Sequence, residues 1–252
     1  MTAIRYLSYG SWRELKRDLL YELFEDGVFR SERYLFRGMG SADWKLAPAF
    51  DRRFGYLNAD ERLRVWDELI EQWRAGCLEH GHIRDAGPGG APPEVALWAL
   101  GQHYGLPTRL LDWSTSPYIA AFFAFKECLE RLPHRFSHVA LWILHLDNPV
   151  WAKEQGVEIV SAPALENVRL KNQSGKFTLS HTRFASLEEY VTETGSGVAL
   201  TKVVLPASEA VPALPDLDSM GINSYRVYPD LGGLAEMATM RLLLSELTAQ
   251  GR

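Results

Sequence analysis

The sequence predicts an α+β domain, because strand-like and helical segments alternate irregularly and show no repeating strand-helix-strand period. Two apolar runs, residues 138–146 and 198–205, have the length and β-branched character of strands inside a sheet. A third observation concerns the helices. From Tyr118 to Phe125 there is no charged residue, and only then do Lys126, Glu127, Glu130 and Arg131 appear. Such a helix is apolar on every face in its first half and belongs in the interior.

Taken in order, Ser11 caps a predicted helix over residues 12–25, with Trp12, Leu15, Leu19, Leu20 and Leu23 at helical spacing and Gly27 at its end. Tyr34 to Ser41 reads as a strand stopping at Arg37-Gly38-Met39-Gly40. The glycines permit close backbone approach, so Arg37 is placed to clamp a phosphate or carboxylate. The alternative is an ion pair with Asp43 or Asp51. Asp51-Arg52-Arg53 follows, then a helix from Asn58 or Asp60 to about His80 whose stripe of Leu63, Trp66, Leu69, Ile70, Trp73 and Cys77 makes it scaffold. Residues 85–93, rich in Gly and Pro, form the strongest loop signal.

A helix over residues 94–104 is closed by Gly105 and places His103 and Tyr104 at its end. His103 reads equally as a cap or core histidine bonded to Asp112 or a carbonyl, and as a ligand-facing group. Thr108 to Trp113 suits a brief strand. Ser116-Pro117 then starts the buried helix, since Pro has no N–H to lose at the first helical position and Ser can accept from an orphan donor. A short strand, Ser114-Thr115-Ser116 and a buried helix N-terminus make a place that favours an anionic group such as phosphate. Further on, residues 148–157 read as a short helix, 174–175 as a turn with extended flanks, 186–194 as a short acidic segment, 207–220 as partly helical, 223–228 as a short strand, and 234–248 as an amphipathic C-terminal helix. Gln173 and Lys171 reach a cleft or are merely solvated.

A net charge of −5 argues against a global field that draws the protein to nucleic acid, while leaving room for a local basic groove. Cys77 and Cys128 lie far apart and no Cys/His spacing resembles a zinc site, so reduced thiols, a cytoplasmic protein and no metal are expected. The first residues have no signal-peptide core, and no run of about 18 apolar residues suggests a membrane span. The phosphate loops of nucleotide-binding folds, the nucleophile elbow of hydrolases and the His-Glu-x-x-His motif are absent from the sequence.

Phe36-Arg37-Gly38 with Trp44-Lys45-Leu46 and Pro48, the segment from Gln102 to Ser114, Arg169 with Gln173, Gly175 and Phe177, and Tyr228-Pro229-Asp230-Leu231-Gly232-Gly233-Leu234-Ala235 together resemble the FRG domain family over about residues 30–240. The resemblance implies a single FRG-type domain over residues 1–252, with an ADP-ribosyltransferase-like split β-sheet core and helical N-terminal and inserted segments. It implies an NAD-dependent ADP-ribosyltransferase that modifies RNA or protein, as a toxin or anti-phage effector with an antitoxin partner. The alternative is a non-catalytic nucleotide- or nucleic-acid-binding module. In that resemblance Arg37, Ser114, Thr115 and Asp230 are catalytic, and Arg37, Gly38, His103, Tyr104, Thr108, Arg109, Asp112 and Gln173 bind NAD. No Glu-x-Glu or Gln-x-Glu stands where such transferases carry their acid; Gln173 is neutral there, leaving Asp230 or Asp112.

Overall fold

The computed structural model describes residues 2–25, 28–30, 32–83, 94–131, 136–161 and 176–249. Gly27, the 85–93 loop, Arg169, Lys171 and Gln173 therefore lie outside the described residues.

The chain is a mixed α+β structure with two principal sheets. Strands β1 (Ile4–Ser8), β4 (Tyr34–Met39), β6 (His138–His145) and β9 (Leu200–Pro206) form one sheet in the order β1-β9-β6-β4, with β1 parallel to β9 and the other pairs antiparallel. Strands β5 (Leu110–Trp113), β7 (Val157–Val160) and β8 (Lys176–Ser180) form the second, antiparallel sheet in the order β5-β8-β7. A short hairpin, β2 (Phe24–Glu25) with β3 (Val28–Phe29), follows the first helix.

The two sheets meet at one bridge. Phe36 N–H donates to the Ser114 carbonyl at 2.7 Å, and Ser114 N–H returns a bond to the Phe36 carbonyl at 2.8 Å. The end of β5 is thereby pinned beside the middle of β4, and the strands diverge from there.

Strand β6 is apolar from Val139 to Leu144, and both of its faces are covered. Val139, Leu141 and Ile143 enter one core cluster while Ala140, Trp142 and Leu144 enter another, as the period-two alternation of a strand requires. The first cluster is built around α1 (Trp12–Glu22) and α5 (Pro117–Glu130). Helix α5 starts as its sequence demands: the Ser116 side chain accepts from Ile119 N–H, and Pro117 occupies the first turn. Each fully buried ring in it, such as Phe125, contributes roughly 1.5–3 kcal/mol by leaving water.

Gly38 explains how closely α5 approaches β4. A Cβ there would stand 1.8 Å from the Ala120 carbonyl oxygen and 2.7 Å from Ala124 N. The glycine is required by helix-on-strand packing.

A third cluster joins α2 (Ala49–Arg53), α3 (Ala59–Glu79) and α4 (Glu94–His103) to the second sheet through Phe50, Trp66, Trp98, Leu110, Phe177 and Leu179. Asn58 and Glu61 form a reciprocal capping box on α3, and Gly105, at φ +90°, ends the α4 segment in the left-handed region. The remaining helices are α6 (Leu187–Thr194), α7 (Ala210–Ser219), α8 (Ser224–Val227) and α9 (Leu231–Ala249).

Several expectations from sequence are corrected. Residues 223–228 are not a strand: the Asn223 side chain caps Arg226 N–H and winds them into α8. Residues 148–157 resolve into two tight turns, Pro149–Trp151 and Lys153–Gln155, before strand β7 begins. The first helix stops at Glu22, and Phe24 and Glu25 enter the hairpin. Helix α9 begins at Leu231, three residues early, because Asp230 caps it.

Candidate functional site

A cavity of about 620 Å³ opens where the two sheets meet. Strands β4 and β5 supply Arg37, Gly38, Asp112 and Ser114 to it, and the end of α4 supplies Gln102 and His103. The opposite wall comes from α5, with Lys126, Glu127 and Glu130, and from the start of α9, with Asp230, Gly232, Gly233 and Glu236.

Arg37 and Asp112 are the centre of this arrangement. The Arg37 Nη1 donates to the Asp112 carbonyl at 2.7 Å and stands 3.7 Å from its Oδ2. Arg37 Nε is enclosed and receives no hydrogen-bond partner. Asp112 is held from its other side by Gln102, whose Nε2 donates to both carboxylate oxygens at 2.8 and 2.9 Å. The Gln102 amide is in turn oriented by the buried Thr108 hydroxyl, which donates to Gln102 Oε1. Half of the Asp112 side-chain surface meets solvent, but within the cavity, where protein walls replace bulk water. That desolvation raises its carboxyl above the ordinary value, against the opposing pull of the Arg37 charge.

The α5–α9 wall is dominated by carboxylates. Lys126, largely buried, extends its ammonium between Glu130 Oε1 at 2.7 Å and Glu236 Oε2 at 3.3 Å. Burial pulls this ammonium downward, but hydrogen bonding with Glu130 and the charges of Glu130 and Glu236 outweigh it and hold Lys126 above its ordinary value. Glu127 accepts from Gly40 N–H through Oε2 and pairs with Arg131 through Oε1. Near this end, Arg52 is lowered by partial burial and by the charge of Arg37, opposed by Glu127, and it makes no ion pair among the described residues.

Of the residues singled out from sequence, Arg37, Gly38, His103, Asp112, Ser114 and Asp230 converge on the cavity. Two of these are already engaged within the fold: Ser114 Oγ accepts from Ser116 N–H at 3.0 Å, and Asp230 Oδ1 accepts from Gly233 N–H at 2.9 Å. Thr115 and Tyr104 lie off the lining, Tyr104 with 74% of its surface exposed. Thr108 reaches the cavity only through Gln102. Arg109 points into the core, where its Nε and Nη2 donate to the two oxygens of Asp51, each at 3.1 Å. The sequence reading missed Gln102, Lys126, Glu127, Glu130 and Glu236. The charged residues of α5 entered the sequence reading only as the limit of its apolar half. A usable signal for Glu236 was its spacing of three and four residues from Gly233 and Gly232, which puts all three on one helical face.

Among the described residues no group of His, Cys, Asp and Glu is arranged to hold a metal ion, and no helix is long and apolar enough to cross a membrane. Fold and site together define an α+β domain with a ligand-sized, charge-lined cleft at the junction of two sheets. Residues 32–131, which run from just before β4 to the end of α5, match the FRG domain family. Neither a curated protein nor a solved structure matches the chain.

Proposed function

We propose that the cleft binds NAD and that the protein is an ADP-ribosyltransferase acting on a macromolecule. The observation that carries this reading is the Phe36–Ser114 bridge between two sheets, which sets Arg37 and Ser114 on the lining of one cavity of about 620 Å³. That volume falls within the range of pockets that enclose small-molecule ligands. The split-sheet transferase core expected from sequence is part of this proposal.

The cleft's charges suit a ligand with two unlike ends. Arg37 offers a guanidinium to a diphosphate, and the carboxylates of α5 and α9 face a cationic nicotinamide ribose. In the reaction the bond between ribose C1′ and the nicotinamide nitrogen breaks, and its electron pair neutralises the pyridinium. Positive charge then spreads over C1′ and the ring oxygen. A carboxylate beside the ribose stabilises that charge. The acceptor's nucleophile bonds to C1′ and releases its proton to a carboxylate or to water. An acidic wall repels a polyanion, which favours a protein acceptor over RNA. A toxin or anti-phage setting in the cytoplasm, with an antitoxin that covers the cleft, fits such an activity.

Incubation with NAD labelled in its adenylate half, alone and with cell extract, tests the proposal. Release of nicotinamide and transfer of label are expected. Retained NAD binding with neither event would instead establish the non-catalytic nucleotide-binding module.

A further inference from the structure

The cleft contains five carboxylates, Asp112, Glu127, Glu130, Asp230 and Glu236, and their hydrogen bonds distinguish them. Both oxygens of Asp112 are occupied by Gln102. Glu127 spends one oxygen on Gly40 N–H and the other on Arg131. Glu130 is bound closely by Lys126, and Asp230 caps α9. Glu236 is different. Its Oε2 is enclosed without a hydrogen bond, facing the Lys126 ammonium at 3.3 Å, while 42% of its side chain remains exposed.

We propose that Glu236 is the carboxylate that engages the ribose of the bound dinucleotide, with Lys126 as its positioning residue. The assignment rests on the NAD reading above and supplies the acid that reading lacks. A catalytic carboxylate needs a fixed position and free lone pairs together. Lys126 fixes Glu236 by charge from the enclosed side, and the other side is left for a ribose hydroxyl and for the positive charge that develops at C1′. Helix α9 presents it on the face that also carries Gly232 and Gly233. The start of that face packs tightly on the end of α8, where a Cβ at Gly233 would stand 1.9 Å from the Tyr228 carbonyl oxygen. The sequence match at residues 32–131 does not reach Glu236, so this acid is contributed from outside the matched stretch.

The test compares wild type with Glu236→Gln, Asp112→Asn and Asp230→Asn. Glu236→Gln is expected to slow nicotinamide release about 10²–10³-fold, the usual effect of losing one electrostatic stabiliser, and to weaken NAD binding about 3- to 10-fold through the lost bond to the ribose hydroxyl. Lys126→Met is expected to move the acid limb of the pH–rate profile upward, and Lys126→Arg to restore it. A wild-type rate in Glu236→Gln overturns the assignment, as does a loss confined to Asp112→Asn or Asp230→Asn. Should wild type release no nicotinamide, the transferase reading fails on its own, and calorimetry with ADP-ribose decides for Glu236. Weaker binding by Glu236→Gln then supports its contact with the ribose; equal binding, or none by wild type, overturns it.

Discussion

Two arginine–aspartate pairs flank the same short strand and do opposite things. Arg109 and Asp112 stand three residues apart around β5, and each finds its partner elsewhere in the chain. Arg109 turns into the core and meets Asp51, with side chains 1% and 0% exposed. Asp112 turns into the cleft and meets Arg37, with side chains 52% and 22% exposed. The core pair is tightly bonded: bidentate bonds join Arg109 to Asp51, Arg109 Nη2 also donates to the Thr182 carbonyl at 2.7 Å, and Arg62 brings a second guanidinium to within 3.5 Å of Asp51. The cleft pair is loose, with a carboxylate 3.7 Å from the guanidinium and half of the Asp112 side chain exposed. Identical chemistry thus serves as a structural node in one place and as an open binding surface in the other. Bidentate contact and exclusion of solvent separate the two uses.

The largest expected effect comes from breaking the core pair. Arg109→Ala leaves the buried Asp51 with only the more distant Arg62 guanidinium, and breaking a buried pair in this way costs about 3–5 kcal/mol. Urea unfolding should show that loss, or failure of the variant to accumulate as folded protein. A shift below about 1 kcal/mol would mean that Asp51 is neutralised by Arg62 alone, which would remove the contrast with the cleft.

Gly38→Ala comes next. The added methyl meets the Ala120 carbonyl backbone, so strand and helix must separate, at a cost of about 1–3 kcal/mol for overpacking. The bridge between the sheets moves with them, and ligand affinity should fall in parallel with the melting temperature. Arg37→Ala is expected to behave in the reverse manner. It removes a half-satisfied guanidinium and should leave unfolding within about 1 kcal/mol of wild type. Loss of its charge-assisted bonds, about 1.5–3 kcal/mol, should weaken NAD binding by roughly 10- to 150-fold. Calorimetric titration beside thermal melts separates the two. A collapsed melting temperature with Arg37→Ala would place this pair in the same class as Arg109–Asp51.

Much of this arrangement was legible in the sequence, and the reasons are local. Ser116-Pro117 followed by eight uncharged residues specifies where α5 starts and that it is buried, because capping and apolar content are properties of neighbouring residues. The strand containing Arg37 and the brief strand at Asp112 were visible for the same reason. Partnerships were not. The sequence offered Asp43 or Asp51 as a mate for Arg37, whereas the fold gives Asp51 to Arg109 across 58 positions and Asp112 to Arg37 across 75. Glu236 was hidden because its meaning depends on α9 returning to α5, where Lys126 waits for it. The strand expected at 223–228 failed because the Asn223 cap outcompeted β-propensity in a segment too short to pair.

The smallest effect concerns pH and probes the cleft pair directly. Desolvation raises Asp112 above the ordinary aspartate value of about 3.9. A carboxyl whose folded value exceeds its unfolded value binds more protons when folded, so its ionisation opposes folding. The penalty is absent below the ordinary value, grows as pH rises, and is complete above the raised one. Asp112→Asn should therefore match wild type in stability at the acid end and gain on it toward neutral pH. The gain should stay below about 1 kcal/mol, because half of the side chain meets cleft water that screens it. Since the Arg37 charge lowers Asp112 against desolvation, the same substitution in an Arg37→Ala background should gain more. Melting curves from pH 3 to pH 8 on the two single variants, the double variant and wild type complete the cycle. An equal gain in both backgrounds would show that Arg37 and Asp112 share a cavity without sharing their charge.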